Sequence, residues 1–528
     1  MSGGSAGAGR PVRNVLFIMC DQLRADYLGC AGHPALRTPN IDALARRGVR
    51  FERAYVQSPV CGPSRMSFYT GRYVSSHGAT WNRVPLGVEE WTIGDYLRGS
   101  GIDVALAGKT HVMPDDQGLA RLGIEGGSAL DAFLRGGGFH ELDRYDGHHP
   151  PGRESGYADY LRAQGYDSAD PWSDYVISVQ LPDGQVASGW NMRHVGHPAR
   201  VRAEHSETAY MTDQAIEFIE RQGDKPWFLH LSYVKPHWPY VAPAPYHALY
   251  GPDDLTPPVR DARELEHAHP VVAAYRQHEE SVNFAREEVV ARVKPAYMGL
   301  IAQIDDELGR LFAVLERTGR WRDTLVIFTA DHGDFLGDHW LGEKELFYEQ
   351  AVRVPMIVAD PDPACDATRG TVDTRLVEAI DVLPTCLDAL GIVPPSHRLE
   401  GRSLLPLLHG ENVAWRDCVF SELDYSFRQA RQLLGRSPQE CRGYMVRDER
   451  WKYIHWIGLP PQLFDLQNDP GELVDLGREA GYEDIRERLR RRLFDWLLGR
   501  KLRLTASDEW VQARTNTHRK HGIHYGVW

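Results

Sequence analysis

Short apolar runs that close on charged or polar residues alternate along this chain with stretches of helical periodicity. Residues 12–20 form one such run, β-favouring and ending in Asp21-Gln22, as a buried strand delivering polar groups at its carboxyl end would. The segment "TPNIDALARRGVRFERAYV" predicts a helix capped near Thr38 or Asn40 and stopped by Gly48, followed by a second strand. The unit repeats in "TIGDYLRGSGIDVALAGKTHV", where a helix ends at glycines and a strand at 104–107 delivers Lys109 and His111. Residues 208–220 predict a third helix, and "KPWFLHLSYVKPHWPY" a strand emptying into a loop at Lys235-Pro236-His237. Residues 299–315 place Ile301, Ile304, Leu308, Leu311, Phe312 and Leu315 on one helical face, and "TLVIFTADHGD" is the strand after it.

Strand, helix, strand in repetition predicts an α/β fold: a large mixed, mostly parallel sheet sandwiched by helices. In open sheets of this kind ligands bind outside the carboxyl ends of the strands, so the polar strand endings are candidates for one shared site. Residues 1–12 are flexible in composition and 13–398 carry the main domain. Within it, 113–205 is rich in Gly, Asp, His and Trp and poor in periodicity, an irregular insertion expected to shape the pocket wall. After "LEGRSLLPLLHG" the pattern changes to a hairpin-like "CRGYMVRDERWKYIHWI" and the turn "LFDLQNDPGELVDL", which predicts a smaller C-terminal α+β subdomain over 399–505. The polar, aromatic tail 506–528 reads as an arm lying on a neighbouring surface, and hence as a sign of a homo-oligomer.

Bulk composition narrows the function. A chain of 528 residues exceeds the reach of a single core, and 42% hydrophobic with 25% charged residues is globular. A net charge of -13 excludes a general nucleic-acid or anionic-membrane binder. In the most basic run, "DIRERLRRRLFDWLL", Ile485, Leu489, Leu493 and Trp496 recur at helical spacing, so its arginines form the solvated face of an amphipathic helix. The apolar run at 15–20 is too short for a signal peptide or a membrane span, and no later run is long enough. Seven scattered cysteines, none at a zinc-motif spacing, predict a cytoplasmic protein with reduced thiols.

Asp21, Gln22, Asp331 and His332 offer two carboxylates, an amide oxygen and an imidazole at converging strand ends. That set suits Ca²⁺, Mg²⁺ or Mn²⁺, with His332 tilting the choice toward Mn²⁺. Lys109, His111, His237 and Lys344 around it predict an anion pocket with acid/base groups. Cys61 is the candidate nucleophile. As a thiolate it would be activated by Arg65 and by a helix N-terminus formed by "SRMSFYTG", yet a soft sulfur is mismatched to a hard metal with oxygen ligands. Oxygen would suit the place better.

Cys61-Gly62-Pro63-Ser64-Arg65 resembles the Cys-x-Pro-x-Arg signature of type I sulfatases, in which a maturation enzyme oxidises the cysteine to formylglycine. The resemblance runs in order through "NVLFIMCDQLRADYLGCAG", "TPNIDALARRGV", "GKTH", "KPHWPY", "TADHGDFLGDH", "LEGRSLLPLL" and "LFDLQNDPGE". Other stretches, "FLHLSYVKPHWPYVAPAPYHALY" among them, look most like the bacterial phosphonate monoester hydrolase and phosphodiesterase branch. The resemblance implies an alkaline phosphatase-like fold and one divalent ion, Ca²⁺ or Mn²⁺, held by Asp21, Gln22, Asp331, His332 and the modified Cys61. It further implies that Arg65 and Lys109 hold the hydrated aldehyde, that His111 acts as base on its second hydroxyl, and that His237 and Lys344 bind the transferred group and assist the leaving oxygen. Asn82 is a further candidate for substrate contact. One departure orders the hypotheses: members of the phosphonate branch carry Tyr and Thr where this chain has Lys109 and His111, as sulfatases do. The expected activity is therefore hydrolysis of sulfate monoesters with promiscuity toward phosphonate monoesters and phosphodiesters, all singly charged at a tetrahedral centre. Phosphonate or phosphodiester hydrolysis as the main activity is the alternative. A non-catalytic binder of sulfated ligands is a second class, and a Ser- or Thr-dependent metal phosphatase a third, against which Cys61, Pro63 and Arg65 argue.

Overall fold

All eight residues of the strand Asn14–Asp21 are buried, because it lies at the middle of the sheet with paired strands on both sides and helices over both faces. It pairs in parallel with Trp227–Pro236 on one side and Thr324–Ala330 on the other. The computed structural model describes residues 12–147, 155–501 and 503–528; the segment 1–11, most of the stretch expected to be flexible, lies outside them. The main sheet runs in the order Val372–Glu378, Val49–Tyr55, Met356–Ala359, Thr324–Ala330, Asn14–Asp21, Trp227–Pro236, Asp103–Gly108, His140–Arg144, with the two-residue Arg353–Val354 added beside Val49–Tyr55. Only Met356–Ala359 and Arg353–Val354 run against the rest. The expected mixed, mostly parallel α/β sheet is therefore the one observed. Its parallel strands bring Asp21, Gly108, Pro236 and Ala330 to one rim, while Ala359 ends at the opposite rim.

The helix Pro39–Arg47 sits between Thr38 and Gly48 as its residues predict, but its cap comes from elsewhere. Thr38 Oγ1 donates to Asp42, and the free N–H groups of Asn40 and Ile41 are taken by the Asp305 carboxylate from the long helix Glu287–Arg317. That long helix starts well before the 299–315 span that predicts it. Pro295 lies inside it, and burial of Val290, Val293 and Tyr297 against the core outweighs the lost hydrogen bond.

The insertion 113–205 contains more regular structure than its lack of periodicity predicts. Helices Asp116–Arg121, Ala129–Arg135 and Gly156–Ala163 and the pair of short strands Ser178–Gln180 and Val186–Ser188 fall in it. So does His140–Arg144, the edge strand of the main sheet; its residues are exposed or half-buried and polar, which hides a strand from any reading that looks for apolar alternation.

The C-terminal region forms a separate antiparallel sheet, Val419–Asp424, Arg442–Arg447, Trp451–Trp456 and Gln462–Asp465. The helix Glu483–Leu498 buries Leu489, Leu493 and Trp496 against it, and Trp496 stacks on Phe420 at 4.4 Å. No residue from 506 to 528 is buried. Among the described residues no helix is long and apolar enough to cross a membrane.

Candidate active site

The site grows from four strand ends. Asp21 closes the first strand, Asp331 and His332 follow Thr324–Ala330, Lys109 follows Asp103–Gly108, and His237 follows Trp227–Pro236. Cys61 opens the helix Cys61–Thr70, every residue of which is buried. Gly62 is the one residue that fits behind it, since a Cβ there would stand 2.9 Å from the Asn82 backbone. Gly62 N donates to Asn82 Oδ1 at 2.7 Å, so Asn82 holds the start of the helix. Ser64 Oγ donates to Asp331 O at 2.6 Å, tying the same turn to the neighbouring strand end.

Asp21, Cys61, Asp331 and His332 each offer a donor atom within 4.8 Å of the others, and all four are buried. Cys61 Sγ lies 3.1 Å from His332 Nε2, which is 3.7 Å from Asp21 Oδ1 and 3.7 Å from Asp331 Oδ1. His332 Nδ1 is 2.9 Å from Gly333 O. That contact places the ring proton on Nδ1 and turns the Nε2 lone pair toward the carboxylates, the arrangement a metal-binding imidazole needs. Burial pushes the His332 pKa down, which keeps it neutral. Two carboxylates and an aimed imidazole fit a divalent cation with mostly oxygen ligands.

Gln22 adds its amide oxygen to the same rim under tight control. Its backbone sits at φ 65, a region costly for a residue with a side chain. Tyr297 OH donates to its carbonyl at 2.6 Å, and its own N–H donates to Asp331 Oδ1 at 3.1 Å. Gln22 Nε2 donates to Asp334 Oδ2 at 2.6 Å, leaving Oε1 to accept from Lys344 Nζ at 2.9 Å. Tyr240 OH also donates to Asp334 Oδ2, at 2.7 Å.

The cations are packed against this cluster. Lys109 Nζ is 2.5 Å from Asp21 Oδ2. Burial alone would raise the Asp21 pKa, but Lys109, His237, Arg65 and His332 together hold it well below the usual carboxylate range. Arg65 is wholly buried and donates from Nε to Asp331, from Nη1 to Lys109 O and Ser232 Oγ, and from Nη2 to Asp21. Lys344 Nζ lies 2.9 Å from His237 Nε2; burial works against its charge, yet Cys61, Glu343, Asp21 and Asp331 keep its pKa above the usual lysine value. His111 is half-buried with its backbone N–H on Asp146 Oδ1 at 2.9 Å. Burial, with Lys109 and Arg65 behind it, lowers its pKa well below normal, which keeps the ring neutral. The structure thus gathers the sequence-predicted residues at one rim.

Several residues that tune the site escape a reading of the sequence. Asp334 and Asp146 orient Gln22 and His111, Ser232 and Tyr297 hold Arg65 and the Gln22 backbone, and none closes an apolar run in a way that marks it. Asp334 alone had a signal, its place within "TADHGDFLGDH". Beside His237, a cavity of about 410 Å³ is lined by Trp190, Trp238, Tyr240, Phe284, Glu343 and Arg428, with Trp190 and Trp238 ring centroids 5.1 Å apart.

A buried carboxylate and imidazole cluster beside a residue at a helix N-terminus, on the carboxyl rim of a mostly parallel sheet, defines a hydrolase of the alkaline phosphatase superfamily. Within it the chain belongs to the sulfatase family, which matches residues 13–392; the N-sulphoglucosamine sulphohydrolase C-terminal region matches residues 337–497. It is 34% identical over 513 residues to the multifunctional alkaline phosphatase superfamily protein PehA of Trinickia caryophylli, covering 92% of this chain and 95% of that one. An arylsulfatase of Clostridium perfringens is 28% identical over 531 residues, 96% of this chain and 99% of the relative. The solved phosphonate monoester hydrolase SpPMH from Silicibacter pomeroyi superposes with a TM-score of 0.82 at 30% identity, over 94% of this chain and 98% of that chain.

Proposed function

We propose that the protein hydrolyses sulfate monoesters, with Cys61 converted to formylglycine by a maturation enzyme. The observation that carries this reading is the setting of Cys61. Its sulfur lies against His332 and near two carboxylates, where burial, with Asp21 next in weight, pushes the thiol up to about 12. A protonated, soft group is a poor nucleophile and a poor partner for a cation held by oxygen. Oxidation to an aldehyde, hydrated in water, supplies two hydroxyls at the same place.

Asp21, Gln22, Asp331, His332 and residue 61 would hold one divalent ion, Ca²⁺ or Mn²⁺, which when bound lowers the pKa of a hydroxyl and neutralises anionic charge. The chain's own groups do the rest. Arg65 and Lys109, braced against Asp331 and Asp21, hold residue 61 in place. Lys344 Nζ and His237 Nε2, 2.9 Å apart, bind the substrate oxygens, and the pair gives a proton to the leaving alcohol. One hydroxyl bonds to the substrate sulfur as the bond from sulfur to the alcohol oxygen breaks. His111, neutral, then takes the proton of the second hydroxyl, the bond from the residue 61 carbon to the sulfate oxygen breaks, and the aldehyde re-forms without water reaching the substrate sulfur. Asn82, its oxygen engaged by Gly62, has its amide NH₂ left for the substrate, and the cavity beside Trp238 receives the leaving group. None of the seven cysteines is in a disulfide, in keeping with work in the reducing cytoplasm.

A sulfate monoester, a phosphodiester and a phosphonate monoester carry the same single charge, so one cationic pocket accepts each. Lys109 and His111 favour sulfate as the main substrate. The similarity to PehA and to SpPMH favours the second reading, phosphonate monoester or phosphodiester hydrolysis. Comparing kcat/KM on an aryl sulfate, an aryl phosphonate monoester and an aryl phosphodiester tests the order: the sulfate is expected to lead, and a phosphonate ahead by orders of magnitude reverses it. Lack of turnover on all three, with an unmodified Cys61 in protein from the native host, would remove the enzymatic reading.

A further inference from the structure

The strand Met356–Ala359 runs against its neighbours, so its end lies at the rim opposite the active site. Asp360 follows it. Cys365 closes the short turn Pro363–Cys365 and His409 follows the helix Leu405–Leu408. Although far apart in sequence, the three place a carboxylate oxygen, Cys365 Sγ and an imidazole nitrogen within 4.8 Å of one another. Asp360 and Cys365 are buried; the His409 side chain is 24% exposed.

A neighbour holds one oxygen of Asp360, and one nitrogen of His409 is left open. Asp362 N donates to Asp360 Oδ1 at 2.9 Å, so Oδ2 is the atom turned toward His409 Nε2, 3.9 Å away. His409 Nδ1 faces Glu411 Oε1 at 3.8 Å, and Nε2 is buried with no hydrogen-bond partner. A buried imidazole nitrogen with no hydrogen-bond partner, facing a carboxylate and a thiol, is available to a metal ion. Thr368 Oγ1 donates to Cys365 O at 2.9 Å and also to Leu408 O, which holds the two segments together independently of the three side chains. The Asp360 to His409 separation is too long for a hydrogen bond. It is close to the roughly 3.4 Å that separates two ligands about 2.1 Å from a tetrahedral ion.

We propose that Asp360, Cys365 and His409 form a second metal site, for zinc or a similarly borderline divalent ion, with water completing the coordination. Sulfur, imidazole and one carboxylate select against calcium and magnesium, so the two rims of one sheet bind cations of different hardness. The ion's role is structural: it pins the loop after Met356–Ala359 to the helix Leu405–Leu408.

The test uses the full chain stripped with a chelator and titrated with Co²⁺. Protein carrying Cys61→Ser, which removes the sulfur of the active site, is expected to keep a near-ultraviolet thiolate-to-cobalt charge-transfer band that saturates at one ion per chain. Adding Cys365→Ser should abolish the band, and His409→Gln, a change at a partly exposed position, should weaken Co²⁺ binding at least tenfold. Zinc added back should raise the melting temperature of the wild type by more than it raises that of His409→Gln, which keeps the active-site ligands. No charge-transfer band in the Cys61→Ser protein, or equal zinc content in wild type and Cys365→Ser, would overturn the proposal. Should Cys365→Ser fail to fold, the Cys61→Ser spectrum and the His409→Gln titration decide it alone.

Discussion

The Arg65 guanidinium donates from Nε to Asp331 Oδ2 at 2.8 Å, and neither side chain reaches solvent. Arg65 is thus a beam of the site as well as a part of its charge. Replacing it with methionine removes the guanidinium from the buried Asp331 carboxylate and leaves Asp21 to Lys109, at a cost of about 3–5 kcal/mol. Urea unfolding of Arg65→Met should show that loss, whereas Arg65→Lys, which keeps the charge and loses the fork, should fold and lose activity.

Cys61→Ala should lower kcat on an aryl sulfate by about 10⁴ or more, as loss of a nucleophile does, while the melting temperature moves little. In protein from the native host the tryptic peptide 54–65 should be lighter than its sequence predicts. An unshifted peptide from fully active protein would remove formylglycine from the account.

Asp334 never needs to touch substrate, yet it fixes which end of the Gln22 amide faces Lys344. Asp334→Asn offers an NH₂ where a carboxylate accepted three hydrogen bonds, from Gln22, Tyr240 and the Leu336 N–H, so Gln22 has reason to flip. We expect about 10- to 100-fold weaker metal affinity, read by titrating Mn²⁺ into stripped enzyme, with the fold intact by circular dichroism.

Glu422 gives a pH signature away from the active site. It is buried and accepts from Ser75 N at 2.9 Å, and burial raises its pKa to about 7. The folded state therefore holds its proton more tightly than the unfolded chain. The stability this confers is present in full below the unfolded value near 4.5 and is lost as pH rises through about 7. The melting temperature of the wild type relative to Glu422→Gln should fall between those values; a constant difference would contradict the assignment.

The tail 506–528 exposes Trp510, Tyr525 and Trp528, and we propose that it lies as an arm on a second copy of the chain. Truncation at residue 506 should leave the melting temperature of the remainder nearly unchanged and reduce the mass in solution. An unchanged mass would remove the arm's role in assembly.

Much of the site could be read because it is built where apolar runs stop: Asp21 closes a buried strand, and Lys109, His237 and Asp331 each sit one step beyond one. What stayed hidden was what lies sideways to that signal. The strand His140–Arg144 is polar because it is an edge. Asp305 caps a helix from far along the chain, and Gln22 takes its backbone conformation from Tyr297. Asp360, Cys365 and His409 meet only because one strand runs backwards, which no spacing along the chain records.

The complete burial of the helix Cys61–Thr70 sets a schedule as well as a shape. On the proposed conversion of Cys61, the oxidising enzyme could not reach it once the sheet and helices had closed and would have to meet the segment as extended chain during or just after synthesis. The active fraction of a preparation would then be decided at birth: a molecule that folded with its thiol intact would be sealed inert, and only unfolding would return it to the queue.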